Sequence, residues 1–487
     1  MAGIGFELKK LFKATGVLSK LRAYGYTGMV TAGPMLLGFF FLLAVSCIAR
    51  WAGLKEEQSD LLVSMITYSL LASMLFSGTF SMVMTRYVAD LLYEEKEEDV
   101  LPSLEGILTF LLPLGGVLWI VFLAFSGIGI VLSIMVFTLF MELVVAWTEM
   151  NYLSAIKDYK GILISYLASI VTALLIAVAG SYMFGGSIEI LLLAVVVGYG
   201  MMMVLNLYHL YRFFPTCEEH HFYFLPWFDE YGDLVAISLA TNIGLFGHLI
   251  IAWFSSIGKQ IKGLFYSAPQ HDIAALFAFI TILITTINFV ASVEVNLYPK
   301  YRRYYDLFNG TGSISEIEQA EKEMLTVLEH ELVYTARRQF YGTALMLSVG
   351  LVILGRLPLG FDAMMEGYFR VLCVGYGAYA VGNVLVLVLM YFTDYKDAKW
   401  ASVIFGFCST AGSFVSALFV DMNHYGYAFA VAAIIYMVFS IIMLSRYTRK
   451  LPYHILSSQP LLVEPNVGFG TKLFKLILEA ERNRSRL

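Results

Sequence analysis

Residues 104–150 read LEGILTFLLPLGGVLWIVFLAFSGIGIVLSIMVFTLFMELVVAWTEM. No charged residue occurs between Glu105 and Glu142. Two apolar runs, 104–125 and 129–150, meet at the turn residues Ser126, Gly127 and Gly129. Each run exceeds the roughly 20 apolar residues that a helix needs to cross about 30 Å of hydrocarbon. Glycine at such a junction favours a break over one continuous helix. The stretch therefore predicts two membrane-crossing helices joined by a tight turn.

The rest of the chain follows the same rule. Of its 487 residues, 59% are hydrophobic and only 14% charged, with a mean hydropathy of +0.74. Soluble domains carry about 25% charged residues. Apolar runs of spanning length recur at 26–49, 61–85, 104–125, 129–150, 161–184, 187–211, 233–256, 271–297, 339–357, 366–392, 399–421 and 424–446. The expected fold class is all-α: a polytopic membrane protein of about 12 transmembrane helices, in two six-helix bundles around a central cavity. With the N-terminus placed in the cytoplasm, 26 of the 32 Lys and Arg fall on the cytoplasmic side and 5 on the outer side, Arg370 being the remaining one. That asymmetry is the positive-inside pattern, and an odd number of spans would scramble it. The expectation is an inner-membrane protein with both termini cytoplasmic and no cleaved leader.

The organisation expected is a cytoplasmic interfacial segment 1–25, a first bundle 26–211, a linker 212–232, a second bundle 233–447 carrying an amphipathic insertion 298–338, and a tail 448–487. Leu8, Leu11, Phe12, Leu18 and Leu21 alternate at helical spacing with basic residues, as in a helix lying in the membrane interface. Ser313 and Glu316 have capping-box spacing. Pro34 and Pro113 are expected to kink their helices.

Polar groups at bilayer depth are costly unless they face protein or water, and they mark candidate sites. Thr138, Glu142 and Glu149 share a stripe of span 4. Ser238, Thr241 and His248 share one of span 7, with Asn242 beside it. In span 8, Thr281, Thr285, Asn288, Ser292 and Asn296 line one face. Interhelical hydrogen bonding could account for such a stripe, but its uninterrupted length points to a wetted wall. Span 10 places Tyr376, Tyr379 and Asn383 together, where rings beside an amide suit the apolar faces and hydroxyl edges of sugars. Arg86 and Asp90 are four apart and can pair at the cytoplasmic end of span 2. No phosphate-cradling Gly-rich loop with Lys is present. The cluster Cys217, Glu218, Glu219, His220 and His221 reads as a solvated loop, and the four cysteines form no close pair. No cofactor, metal or nucleic acid is expected.

The N-terminus, Met1-Ala2-Gly3-Ile4-Gly5-Phe6-Glu7-Leu8-Lys9-Lys10-Leu11, resembles that of the PelG-like family of inner-membrane exopolysaccharide transporters. Ala32-Gly33-Pro34, Thr85-Arg86-Tyr87 with Asp90, Leu153-Ser154-Ala155, Asn242-Ile243-Gly244, Glu294, Tyr301 and Tyr305 are similar too. The resemblance implies the fold of the multidrug/oligosaccharidyl-lipid/polysaccharide flippases and translocation of a growing amino-sugar polymer. It implies two partners, a cytoplasmic glycosyltransferase and a cyclic-di-GMP-binding membrane protein. Where the family pattern has an acid–base pair after the Asn of span 7, this chain has Leu245-Phe246-Gly247-His248. The expected substrate path comprises Glu142, Glu149, Asn242, His248, Asn288, Asn296, Glu294, Tyr376, Tyr379 and Asn383. Two alternatives are a cation-coupled exporter of small molecules and a membrane-embedded glycan-modifying enzyme using Glu142 and Glu149.

Overall fold

A computed structural model describes residues 28, 33, 36–38, 40–156, 158–215, 220–292, 296–310, 312–356, 361–421, 424–457 and 468–484. The expected interfacial segment 4–22, Pro34, Cys217 and Glu294 lie outside them. The described residues are helical almost throughout.

In chain order the helices are α1 (Leu36–Trp51), α2 (Glu56–Tyr93), α3 (Val100–Phe125), α4 (Ile130–Ala155), α5 (Tyr159–Phe184), α6 (Ile188–Phe213), α7 (Leu225–Glu230) and α8 (Gly232–Trp253). A hairpin of β1 (Lys259–Lys262) and β2 (Phe265–Ser267) follows. Then come α9 (Pro269–Phe279), α10 (Ile282–Ser292), α11 (Tyr298–Asn309), α12 (Ile314–Leu345), a π-helical turn (Met346–Gly350) and α13 (Leu351–Leu354). The chain closes with α14 (Ala363–Tyr391), α15 (Tyr395–Phe419), α16 (Tyr427–Thr448), α17 (Leu451–Ser457) and α18 (Phe469–Arg484).

Among the described residues, ten helices are long and apolar enough to cross a membrane, and α1 is a shorter apolar one. The run expected at 339–357 is the far part of one continuous helical rod, 314–354. The polar residues of its first half keep it outside the spanning set. A second difference concerns the loop expected from 86. Helix α2 runs on to Tyr93, so only 94–99 separates it from α3, and part of that is a 3-10 turn. Pro113 sits inside an α3 that continues on both sides of it.

Helix starts are written locally. Asp158, Ser187, Asp362 and Asp394 each accept a backbone N–H from three residues on, satisfying a donor left orphaned by the first turn. Ser313 and Glu316 form the reciprocal capping box that their spacing announces.

The helices sort into two compact units. The first comprises 37–243, the hairpin segment 258–267 and the tail 460–487. Its core joins α4 to α2 and α6, with α5 packed along α6. Gly198 of α6 allows that approach, because a Cβ there would stand 2.6 Å from the Cβ of Ala173. The hairpin is pinned to the ends of α2 and α3. Tyr68 Oη receives the N–H of Tyr266 and donates to its carbonyl, both at 3.1 Å, while Leu264 N–H bonds the Ser126 carbonyl. Gly263, at φ +56°, lies so close to Ser126 that no side chain fits. In the tail, α18 begins on Asp229, whose carboxylate takes the N–H groups of Gly470 and Thr471 and the Thr471 hydroxyl. Burial alone would raise the Asp229 carboxyl, but these bonds hold it below the usual carboxylate range.

The second unit comprises 1–36, 244–257 and 268–459. Its centre is the packing of α14 on α16, with α15 against α16 and α9 against α14.

Candidate functional site

On two helices of the first unit, buried polar side chains stand unpaired. Helix α4 carries Glu142 and Glu149 seven residues apart, hence about 10 Å along one face. Glu149 is fully buried, and neither of its carboxylate oxygens has a hydrogen-bond partner among the described residues. Glu142 is half-buried, and one of its oxygens lacks a partner. Its other oxygen lies against Gly200 of α6, 3.1 Å from where a Cβ would be. Helix α6 contributes Asn206, also 0% exposed, with neither end of its amide bonded. Leaving a buried polar group unpaired costs about 1–3 kcal/mol, more if it is charged. Two helices packed together thus carry three such groups where apolar residues would pack more cheaply.

Midway along α8, the Asn242 amide rests 2.8 Å from where a Cβ on Gly78 of α2 would stand, and Ser238 donates to the Gly78 carbonyl. At the far end of α2, Arg86 Nε and Nη2 meet the Asp90 carboxylate at 3.1 and 3.0 Å. Asp90 also accepts the Trp227 indole N–H, and the Arg86 guanidinium lies 5.4 Å from the Tyr231 ring centre. The expected ion pair therefore joins α2 to the short helix α7.

The stripe of span 8 behaves differently from the wetted wall expected of it. Thr285 donates to Gln339 at 2.6 Å and Asn288 to Thr335 at 2.7 Å. Arg338 donates to the Asn288 carbonyl at 3.0 Å. Ser292 and Asn296 both donate to Glu331. Thr285, Asn288 and Ser292 of α10 thus meet α12 in antiparallel order, spaced three and four residues apart on α10 and four apart on α12. Asn288 is buried in this ladder. Of the stripe, Asn296 is the exposed member.

His248, Tyr376 and Tyr379 are likewise enclosed, not displayed along a wall. His248 stacks on Phe429 and bonds Tyr376, and Tyr379 stacks on Tyr436 beside Phe405. Close approach of α14 to α16 creates this aromatic core. A Cβ on Gly375 would stand 2.9 Å from Phe429, and one on Gly382 2.7 Å from Tyr436. Asn383 on the same helix is half-buried.

Among the described residues no three His, Cys, Asp or Glu are placed to hold a metal. His220 meets Asp99 at 2.8 Å. Asn206 and His271 were not singled out from the sequence. A lone amide inside an otherwise apolar span was the available signal for Asn206. His271 is the first residue of the expected run 271–297, beside Asp272.

Compared with solved structures, the chain is similar to MATE in the straight conformation, at 11% identity over 88% of this chain and 96% of that one, with a TM-score of 0.56. MATE in the bent conformation gives 13% over 92% and 99%, with a TM-score of 0.55. A MOP superfamily transporter from Pyrococcus furiosus Vc1 gives 12% over 87% and 95%, with a TM-score of 0.51. At such identities the likeness is one of fold: a polytopic, all-α membrane architecture. No curated protein matches the chain by sequence. The family model "PelG: Putative exopolysaccharide Exporter (EPS-E)" matches residues 1–456, and the chain belongs to that family.

Proposed function

We propose that this chain exports a growing amino-sugar exopolysaccharide across the inner membrane, with both termini in the cytoplasm. The observation that carries the reading is the family match across residues 1–456 of a chain with a transporter fold. Unpaired groups at depth supply the physical means. A polymer rich in hydroxyls sheds water on entering the membrane and needs replacement partners that hold it weakly enough to let it move on. Glu142, Glu149 and Asn206 have hydrogen-bonding capacity to spare, and Asn242 adds a neutral amide in the same unit. Asn288, by contrast, already has both ends of its amide bonded, to Thr335 and to Arg338.

The polymer would be delivered by a cytoplasmic glycosyltransferase, with a cyclic-di-GMP-binding membrane protein governing that supply. The test is polymer accumulation in the lumen of inverted vesicles containing the cognate synthase, with and without this chain. Lumenal polymer that depends on the chain supports the reading, and equal accumulation without it overturns the reading.

The unpaired carboxylates of α4 also favour a second reading, a cation-coupled exporter of small molecules. A gradient-driven flux from vesicles lacking any synthase would select it.

A further inference from the structure

Two histidines in the second unit stand apart from everything above. His248 of α8 is 3% exposed and His271 of α9 is 1% exposed. Their rings face edge to face-centre, with centroids 5.4 Å apart and planes at 74°. The walls are aromatic: Phe429 stacks on His248 at 4.3 Å, and Tyr368 stands edge-on to His271 at 5.6 Å. Packing alone does not call for imidazole here, since a phenyl ring would fill such walls without unmet polar atoms.

The polar atoms are arranged in a row. The Asp272 carboxylate receives the Trp253 indole N–H on both oxygens and the Ala268 N–H on one, all at 3.0 Å. Its Oδ1 lies 4.0 Å from His271 Nδ1. Beyond the second ring, His248 Nε2 is 3.2 Å from the Tyr376 hydroxyl of α14. The His271 Nδ1 atom has no hydrogen-bond partner among the described residues, whereas the His248 ring also interacts with the Leu245 backbone. A neutral imidazole has one donor and one acceptor nitrogen. The pair therefore keeps proton-accepting capacity in a nearly dry site with a carboxylate at one end. The other titratable groups around it are Tyr368, Tyr376 and Cys373 of α14, and Tyr425, which meets Ser256.

We propose that His248 and His271 form a binding site for a single proton, loaded past Asp272 and read out by Tyr376. The added proton turns one imidazole into an imidazolium, balanced by the Asp272 carboxylate. A second proton is refused, because two imidazolium rings at this separation repel in a medium of low dielectric. When His248 carries the charge, its Nε2–H donates to Tyr376. When His248 is neutral with Nε2 unprotonated, the Tyr376 hydroxyl donates to it. Occupancy thus reverses a hydrogen bond to α14, the helix at the centre of the unit. The site goes beyond the export reading and does not depend on it.

The test is nitrogen NMR of the full chain in lipid bilayers with ¹⁵N-labelled histidine, titrated from pH 8 to pH 4.5. The expected result is two coupled ring signals that together take up one proton. His271→Gln should shift the titration midpoint of His248 by about one pH unit or more, in line with strongly coupled sites. Asp272→Asn should lower proton uptake by the pair, while Tyr376→Phe should leave one proton bound and abolish the His248–Tyr376 bond signature. Independent titration of the two rings, uptake of two protons, or none across the whole range would overturn the proposal. The unsubstituted chain alone decides between these outcomes if a variant fails to fold. A vesicle export assay is a separate readout, so failure of export leaves this result standing.

Discussion

Helices α10 and α4 both carry a polar stripe at bilayer depth, and the structure treats them oppositely. The stripe of α10 is matched rung for rung by α12, so that Thr285, Asn288 and Ser292 each have a named partner. The stripe of α4 meets α6, where the carboxylate of Glu149 and the amide of Asn206 stay unbonded though buried. A satisfied ladder holds two helices together. An unsatisfied set costs stability and is retained only where it serves something else. Periodicity shows that a polar face points inward, and the facing helix decides which kind it is.

The largest effect should come from breaking the ladder. Asn288→Ala removes the partner of the buried Thr335 hydroxyl and one acceptor of the Arg338 guanidinium, and is expected to cost about 3 kcal/mol of stability. Thermal unfolding of the purified protein in detergent checks this, with export per folded molecule unchanged. An unaltered Tm would mean that the ladder contributes nothing. The converse substitution is Glu149→Gln. Removing an unpaired buried carboxylate should leave the fold as stable or about 1 kcal/mol more so, while export falls about tenfold, or about 1.4 kcal/mol. Polymer export normalised to protein amount is the measurement.

Gly200→Ala tests the half-buried member. The new methyl would crowd Glu142 from 3.1 Å, and export should fall about two- to threefold, or about 0.5 kcal/mol, with little change in Tm. Asp394 is intermediate: Oδ1 caps α15 through the Asp397 N–H at 3.3 Å, and Oδ2 has no partner among the described residues. Burial, then the Asp397 charge, pushes its carboxyl up to about 6. The folded chain therefore holds this proton where the unfolded chain has released it. Stability is greatest below about pH 4 and declines as pH rises towards 6. Asp394→Asn keeps the cap and removes that decline, so its Tm at pH 7.5 should exceed that of the unsubstituted protein by about 2 °C, with the difference vanishing near pH 4.

The spans could be read from sequence because bilayer thickness sets a run length that few soluble helices reach. The turn at Ser126–Gly129 and the capping box at Ser313 were legible because both depend on residues within four of each other. The partner of Asn288 was not, since Thr335 lies 47 residues away in a segment whose charge reads as a surface helix. Tyr376 and Tyr379 suggested sugar-binding rings. Only the close approach permitted by Gly375 and Gly382 shows that they stack into a core. Glu142 and Glu149 were legible as inward-facing, yet their lack of partners is a property of α6, not of α4. Helix α2 outran its expected end because Tyr87, Val88 and Leu91 stay buried beyond Thr85 and Asp90 accepts the Trp227 indole N–H.

The central claim is that unpaired polar groups mark the route of the polymer and paired ones do not. Single cysteines at 142 and 288, in an otherwise cysteine-free chain, can be challenged with a water-soluble maleimide in vesicles with and without an active synthase. The account predicts that the cysteine at 142 is labelled and that nascent polymer shields it, while the one at 288 stays unlabelled in both conditions. Equal labelling at the two positions, or labelling at 142 indifferent to polymer synthesis, would contradict it.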